Sequence, residues 1–177
     1  MANEKAFEDL YRSHGGKVFR FALRLCASRE DAEDLTVDTF AMAFENWSKF
    51  RGEASTATWL YGIALNQWRM SKRRKSVKSL GIEAIEAVAG SFNFAELELA
   101  QAIMTLPDPL REAFLLVKGE GLTHAEAAKL VGVPVGTMYF RVHRAVCRLR
   151  VSLQPQTIGR GPQLEQNSEQ EMSIDPI

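Results

Sequence analysis

Cysteine is scarce in this chain. Only Cys26 and Cys147 occur, far apart, with no neighbouring Cys or His at metal-ligand spacing. Zinc and a disulfide scaffold are therefore not indicated, and two buried, reduced thiols on apolar helical stripes are expected, with a redox link between them as the alternative. Histidine is nearly as rare: His14, His124 and His143 each stand alone, with no carboxylate or nucleophile around them at motif spacing. Glycine-rich phosphate loops and metal motifs are missing too, so the sequence offers no catalytic residues, no cofactor and no metal site. Long apolar runs are also missing, and none approaches the roughly 18 residues that cross a bilayer. Met1 to Lys5 lack the charged-then-apolar plan of a signal peptide, so a cytoplasmic protein without membrane insertion is expected.

Net charge is the last absence, since 22 bases balance 22 acids. An even spread would argue against nucleic acid, but the spread is uneven. Acids collect at Glu30, Asp31, Glu33, Asp34 and Asp38, and bases at Arg69, Lys72, Arg73, Arg74, Lys75 and Lys78 and again at Arg141, Arg144, Arg148 and Arg150. Local fields govern binding more than their sum does.

What the chain does have is helical periodicity almost throughout, so the class is all-α, with two small helical domains joined by a linker. Phe7, Leu10, Tyr11, Val18, Phe19, Ala22, Leu23 and Cys26 follow three-four spacing, and His14-Gly15-Gly16 is expected to break them into two short helices. A third helix should open after Ser28 and run to about Trp47, and a fourth from Ser55 or Thr56 to about Lys75. Four more are expected, over about 95–105, 109–117, 124–131 and 135–152. The division is thus 1–75 for the first domain, 76–94 for a flexible linker, 95–153 for the second domain and 154–177 for a disordered tail.

The clearest motif runs from Leu122 to Thr137. Thr123 with Glu126 is a capping box, Ala127 is small enough for close packing, Gly132 suits a positive-φ turn and Pro134 a helix start. That order spells helix-turn-helix. In the second helix Met138, Val142, Ala145 and Leu149 form the inner stripe, leaving Thr137, Phe140, Arg141, Arg144 and Arg148 on a face suited to the major groove. Each arginine could equally serve only to solvate the helix.

In the third helix Val37, Phe40, Ala41, Phe44 and Trp47 are expected to form the core stripe. Opposite lie Asp31, Asp34, Asp38 and Glu45, with Leu35 and Met42 among them. Two apolar side chains within an acidic face fit a docking surface for a basic partner helix; a merely solvated face is the alternative. In the fourth helix Gly62, Asn66, Arg69 and Arg73 share a face on which the amide can meet a base edge and the guanidinium groups phosphates. The preceding loop, with Phe50, Arg51 and Gly52, suits an unstacked base. Trp59 and Trp68 could join it or belong to the core.

These residues together resemble the extracytoplasmic-function sigma factors, the smallest branch of the bacterial sigma superfamily. The likeness covers about Phe7 to Leu153. It rests on Asp31-Ala32-Glu33-Asp34-Leu35-Thr36-Val37-Asp38-Thr39-Phe40, on Phe50-Arg51-Gly52-Glu53 followed by Thr58-Trp59-Leu60, on Leu106-Pro107, and on Gly136-Thr137 with Arg141, His143, Arg144 and Ala145. It implies that Asp31, Asp34, Leu35, Asp38 and Met42 dock on the β′ clamp helices of core RNA polymerase. It also implies that Phe50, Arg51, Gly62, Asn66, Arg69 and Arg73 serve the minus-ten element, and that Thr137, Phe140, Arg141, Arg144 and Arg148 read the minus-thirty-five element. The β flap, promoter DNA and an anti-sigma protein are the further partners implied. Where the family usually carries Lys-Ser, this chain has Tyr139-Phe140, so more contact with thymine methyl groups is expected. A dimeric helix-turn-helix regulator is the competing class, and an enzyme the remaining one.

Overall fold

The computed structural model describes residues 2–26, 28–75 and 94–153, and no strand occurs among them. Among the described residues seven α-helices follow in order: α1 (Ala2–Cys26), α2 (Arg29–Asn46), α3 (Thr56–Lys75), α4 (Phe94–Met104), α5 (Asp108–Phe114), α6 (His124–Val131) and α7 (Val135–Leu153). The expected linker, save its last residue, and the expected tail lie outside the described residues.

The break expected at His14-Gly15-Gly16 does not occur, and α1 is one helix. Two interior glycines cost about 2 kcal/mol of helix propensity. Against that, α1 buries Leu10, Val18, Phe21, Ala22 and Leu25, and each large side chain of this kind stabilises by about 1.5–3 kcal/mol. Packing outweighs propensity here.

Local signals set the other helix starts. Ser28, in extended conformation, accepts the Asp31 N–H through its hydroxyl at 3.2 Å. Ser55 does the same for Thr58 at 3.1 Å ahead of α3, and Pro109 sits in the first turn of α5. The capping box of α6 is complete: the Thr123 hydroxyl accepts the Glu126 N–H at 3.2 Å, and the Glu126 carboxylate accepts the Thr123 N–H at 2.8 Å. Gly132 then turns the chain with φ 76°, in the left-handed region that glycine adopts without steric cost.

Helix α2 packs against both α1 and α3, and its buried stripe is Ala32, Leu35, Thr36, Thr39, Phe40 and Ala43. This overturns the expected division of the helix. Leu35 lies in the core, whereas Val37 is 66% exposed, and Ala41 and Phe44 are also exposed. The reason is the two threonines. Thr36 and Thr39 donate their hydroxyls to the carbonyls of Ala32 and Leu35, both at 2.6 Å. Satisfied in this way, each presents a methyl group to the core and behaves as an apolar residue.

A smaller apolar cluster gathers Leu10, Val18, Phe40, Ala43 and Leu60. The larger one runs without a break from Phe21, Leu25, Tyr61, Leu65 and Trp68 into Leu106, Ala113, Leu116, Met138 and Leu149. It therefore joins α1–α3 to α4–α7. Arg111 reinforces the junction from a buried position, donating to the carbonyls of Leu25 at 3.2 Å, Met104 at 2.8 Å and Leu106 at 3.0 Å. Those acceptors lie at the carbonyl-rich ends of α1 and α4, where a cation is favoured. Burial nevertheless pushes the guanidinium pKa down, opposed by the nearby Asp108.

Candidate functional site

Helix α7 places its residues as the spacing foretells. Met138, Val142, Ala145 and Leu149 are buried, so the opposite side faces solvent. Phe140 is 58% exposed, and the Arg144 guanidinium lies 5.5 Å from its ring centroid. Arg148 is exposed, and Thr137 and Arg141 are half-buried at the edges of the face. Tyr139, also exposed, stacks on His124 of α6 with centroids 3.8 Å apart and ring planes within 8°. That couples the start of α6 to the outer side of α7. Cys147 is exposed rather than buried, with its sulfur 3.8 Å from His143 Nε2, while Cys26 is half-buried, and no disulfide joins the two.

On α2 the exposed side differs from the expected one. Asp34, Asp38 and Glu45 do face solvent, Asp31 is half-buried and Met42 is half-buried, but Leu35 points inward. The apolar residues that lie among the acids are Val37, Ala41 and Phe44. Phe44 is steadied from α1 by Phe7, with centroids 5.0 Å apart in edge-to-face geometry. An acid-rimmed apolar face therefore exists, but its apolar residues lie on the side of the helix away from Leu35.

The loop before α3 holds Phe50 between two tryptophans, 5.7 Å from Trp47 and 4.8 Å from Trp59. Arg51 is exposed beside it. Trp68, by contrast, is buried, with Lys72 Nζ 5.1 Å from its ring centroid, so of the two tryptophans on α3 it is the one more fully in the core.

Gly62, Asn66, Arg69 and Arg73 do not form the free face expected of them. Asn66 and Arg73 are exposed. Gly62 meets Leu130 of α6, whose Cδ1 is 3.4 Å from where a Cβ would stand. Arg69 is held by Glu112 of α5 through two parallel hydrogen bonds, Nε to Oε1 at 2.9 Å and Nη2 to Oε2 at 2.6 Å. That fork raises the Arg69 pKa, and partial burial opposes the rise. Lys72 Nζ lies 2.6 Å from Asp108, and Arg24 is 3.6 Å from Glu120. Burial, followed by the Glu120 carboxylate, lifts the Tyr61 phenol above its ordinary range. Sequence reasoning missed Asp108, Glu112 and Glu120 as partners. The available signal was Asp108 and Glu112 four residues apart on one face of a short helix, opposite Arg69 and Lys72.

An open basic second helix behind a capped first helix defines a helix-turn-helix protein of the DNA-binding class. Residues 10–77 match Sigma-70 region 2, and residues 96–149 match Sigma-70, region 4. The chain is similar to the ECF RNA polymerase sigma factor SigM of Mycobacterium tuberculosis, 32% identical over 147 residues that cover 81% of this chain and 75% of SigM. It is similar to the RNA polymerase sigma-H factor of Pseudomonas aeruginosa, 28% identical over 171 residues that cover 86% and 89%. Its backbone is similar to the sigma factor RpoE of Bartonella quintana, solved in complex with the anti-sigma factor NepR. The TM-score there is 0.70 at 28% identity, covering 86% of this chain and 99% of RpoE. The chain belongs to the extracytoplasmic-function sigma factors. As a sigma factor it gives RNA polymerase its promoter specificity, so core polymerase and promoter DNA are its partners.

Proposed function

We propose that residues 1–75 and 95–153 act as separate domains that divide promoter recognition between them. The first docks on the β′ clamp helices and opens the minus-ten element, and the second binds the β flap and reads the minus-thirty-five element as duplex. The observation that carries this reading is the solvent-facing Phe140, Arg144 and Arg148 on α7, backed by a fully buried stripe. Thr137 and Arg141 flank that surface, and Phe140 meets thymine methyl groups. The docking face is Asp34, Asp38 and Glu45 around Val37, Ala41 and Phe44, with Asp31 and Met42 at its border; Leu35 supports it from within. Phe50, Arg51, Asn66 and Arg73 serve the melted minus-ten strand, joined by Gly62 and Arg69 once α5 and α6 have left them.

RpoE was solved in complex with the anti-sigma factor NepR. An anti-sigma protein covering these same faces accounts for control here. Action in the cytoplasm follows from the site of transcription, and no described helix is long and apolar enough to cross a membrane.

Transcription with purified core polymerase on a supercoiled promoter library tests the reading. Specific starts that depend on this protein are expected. Reversing the charge of Asp34 and Asp38 to Lys should weaken core affinity at least about tenfold, as loss of charge complementarity at an interface does. Unchanged core affinity would remove α2 from the docking surface.

A further inference from the structure

Helix α7 divides its outward surface between two chemistries. Successive residues of a helix stand about 100° apart, so Phe140 and Cys147 mark the outward midline, opposite the buried Met138, Val142, Ala145 and Leu149. Arg141, Arg144 and Arg148 fall on one side of that line. Tyr139 and His143 fall on the other, where the first arginine, Arg150, comes about three turns beyond Tyr139. Tyr139 is 57% exposed, yet its ring is not free to turn. The imidazole of His124, the first residue of α6, lies 3.8 Å from it with the ring planes within 8°, and at that separation the two rings overlap over most of their area. His124 is itself half-buried, at a helix start fixed by the capping box of Thr123 and Glu126. The tyrosine is therefore held by a ring that is anchored in turn.

We propose that His124 is a positioning residue for minus-thirty-five binding: its ring clamps Tyr139 so that the phenol hydroxyl donates to a backbone phosphate on the side of the groove away from those arginines. The inference rests on the reading of α7 as the helix that enters the major groove. Phosphates wall that groove on both sides, and guanidinium groups along one side of a helix serve one wall. Tyrosine hydroxyls are among the donors that proteins use on phosphate oxygens, and the first helix of a helix-turn-helix is the one that crosses a DNA backbone. The start of α6 and Tyr139 are thus placed to share the other wall. A phenol carries no charge, so its contact displaces no counterion and keeps its strength as salt rises, where arginine contacts weaken. Fixing the ring beforehand also lowers the freedom lost when it docks. The pair sets the register of α7 on the duplex without reading its bases.

The experiment measures binding of the full chain, assembled with core polymerase, to fluorescent promoter duplexes at several salt concentrations. Tyr139→Phe keeps the stack and removes the hydroxyl. It should weaken binding at least about fivefold, as loss of one hydrogen bond to a charged group does, and leave the salt dependence unchanged. His124→Ala should weaken binding as much, and His124→Phe, which stacks without a charge, should restore it to within about twofold. Tyr139→Phe combined with His124→Ala should be no weaker than either alone, because the two act through one contact. Circular dichroism melts check that each variant is folded. A duplex with a methylphosphonate in place of the contacted phosphate should bind the parent and Tyr139→Phe equally. Full affinity in Tyr139→Phe, a loss confined to particular minus-thirty-five sequences, or no rescue by His124→Phe would overturn the inference. Arg144→Ala with Arg148→Ala should lower both affinity and its salt dependence whatever Tyr139 does. If that variant binds as the parent does, the reading of α7 falls, and the inference with it.

Discussion

Helices α3 and α7 each carry arginines along one side, and in sequence the two patterns look alike. Their fates in the fold differ. The outer face of α7 is open along Phe140, Arg144 and Arg148. Of the polar residues expected to meet DNA on α3, Asn66 and Arg73 are exposed, while Arg69 is held by Glu112, and Lys72 beside it by Asp108. A basic stripe therefore reports where cations are, and says nothing of which anion reaches them first. The neutralising acids come from a short helix of the second half, so which cations of α3 stay unpaired depends on residues distant in sequence.

The largest effect that would sharpen this contrast is on DNA. Replacing Arg141, Arg144 and Arg148 with Ala should lower affinity for a duplex minus-thirty-five element on the order of a hundredfold at low salt and flatten its salt dependence. Thermal stability should scarcely change. Titration of fluorescent duplexes at several salt concentrations measures both quantities, and retained affinity would show that α7 is no reading helix.

The next is on stability, where the helices should behave oppositely. Arg69→Ala leaves Glu112 buried without its partner, and should cost about 2 kcal/mol in denaturant unfolding. Arg144→Ala removes a solvent-facing group and should stay within about 0.5 kcal/mol. Equal losses at the two positions would erase the distinction between a held and a free arginine.

The smallest concerns the turn that aims α7. Thr123→Ala removes the cap of α6 and should cost about 1 kcal/mol at neutral pH. The Thr123 side chain and then its backbone N–H hold the Glu126 carboxyl below its ordinary 4.5. A carboxyl depressed in the folded state contributes stability above its unfolded value and loses it as pH falls through the folded one. The gap between parent and variant should therefore narrow as acid is added below 4.5, as followed by circular dichroism melts. A gap independent of pH would mean that the box contributes through the threonine alone.

Much of the fold is legible because its signals are local. Ser28, Ser55, Thr123 with Glu126, and Gly132 mark helix ends through contacts within a few residues, and all of them do so in the structure. The inner stripe of α7 is legible for a related reason: its apolar residues sit on one face and its charges on the other. Helix α2 lacks that separation. Thr36 and Thr39 read as polar in the sequence, yet their hydroxyls turn back onto the helix carbonyls and their methyl groups enter the core. That rotates the docking face from Leu35 to Val37, Ala41 and Phe44. At His14-Gly15-Gly16 the local signal is real, but it is weaker than the packing of α1 on its neighbours.

By itself the sequence determined the all-helical class, most helix ends, the helix-turn-helix and the family, because caps, periods and turn residues act over distances that a short stretch of chain contains. Tertiary structure alone decided which side of α2 faces outward and which arginines of α3 are free. Those outcomes depend on partners brought from elsewhere, such as Glu112, 43 residues beyond Arg69, and Coulomb attraction and close packing act on proximity in space.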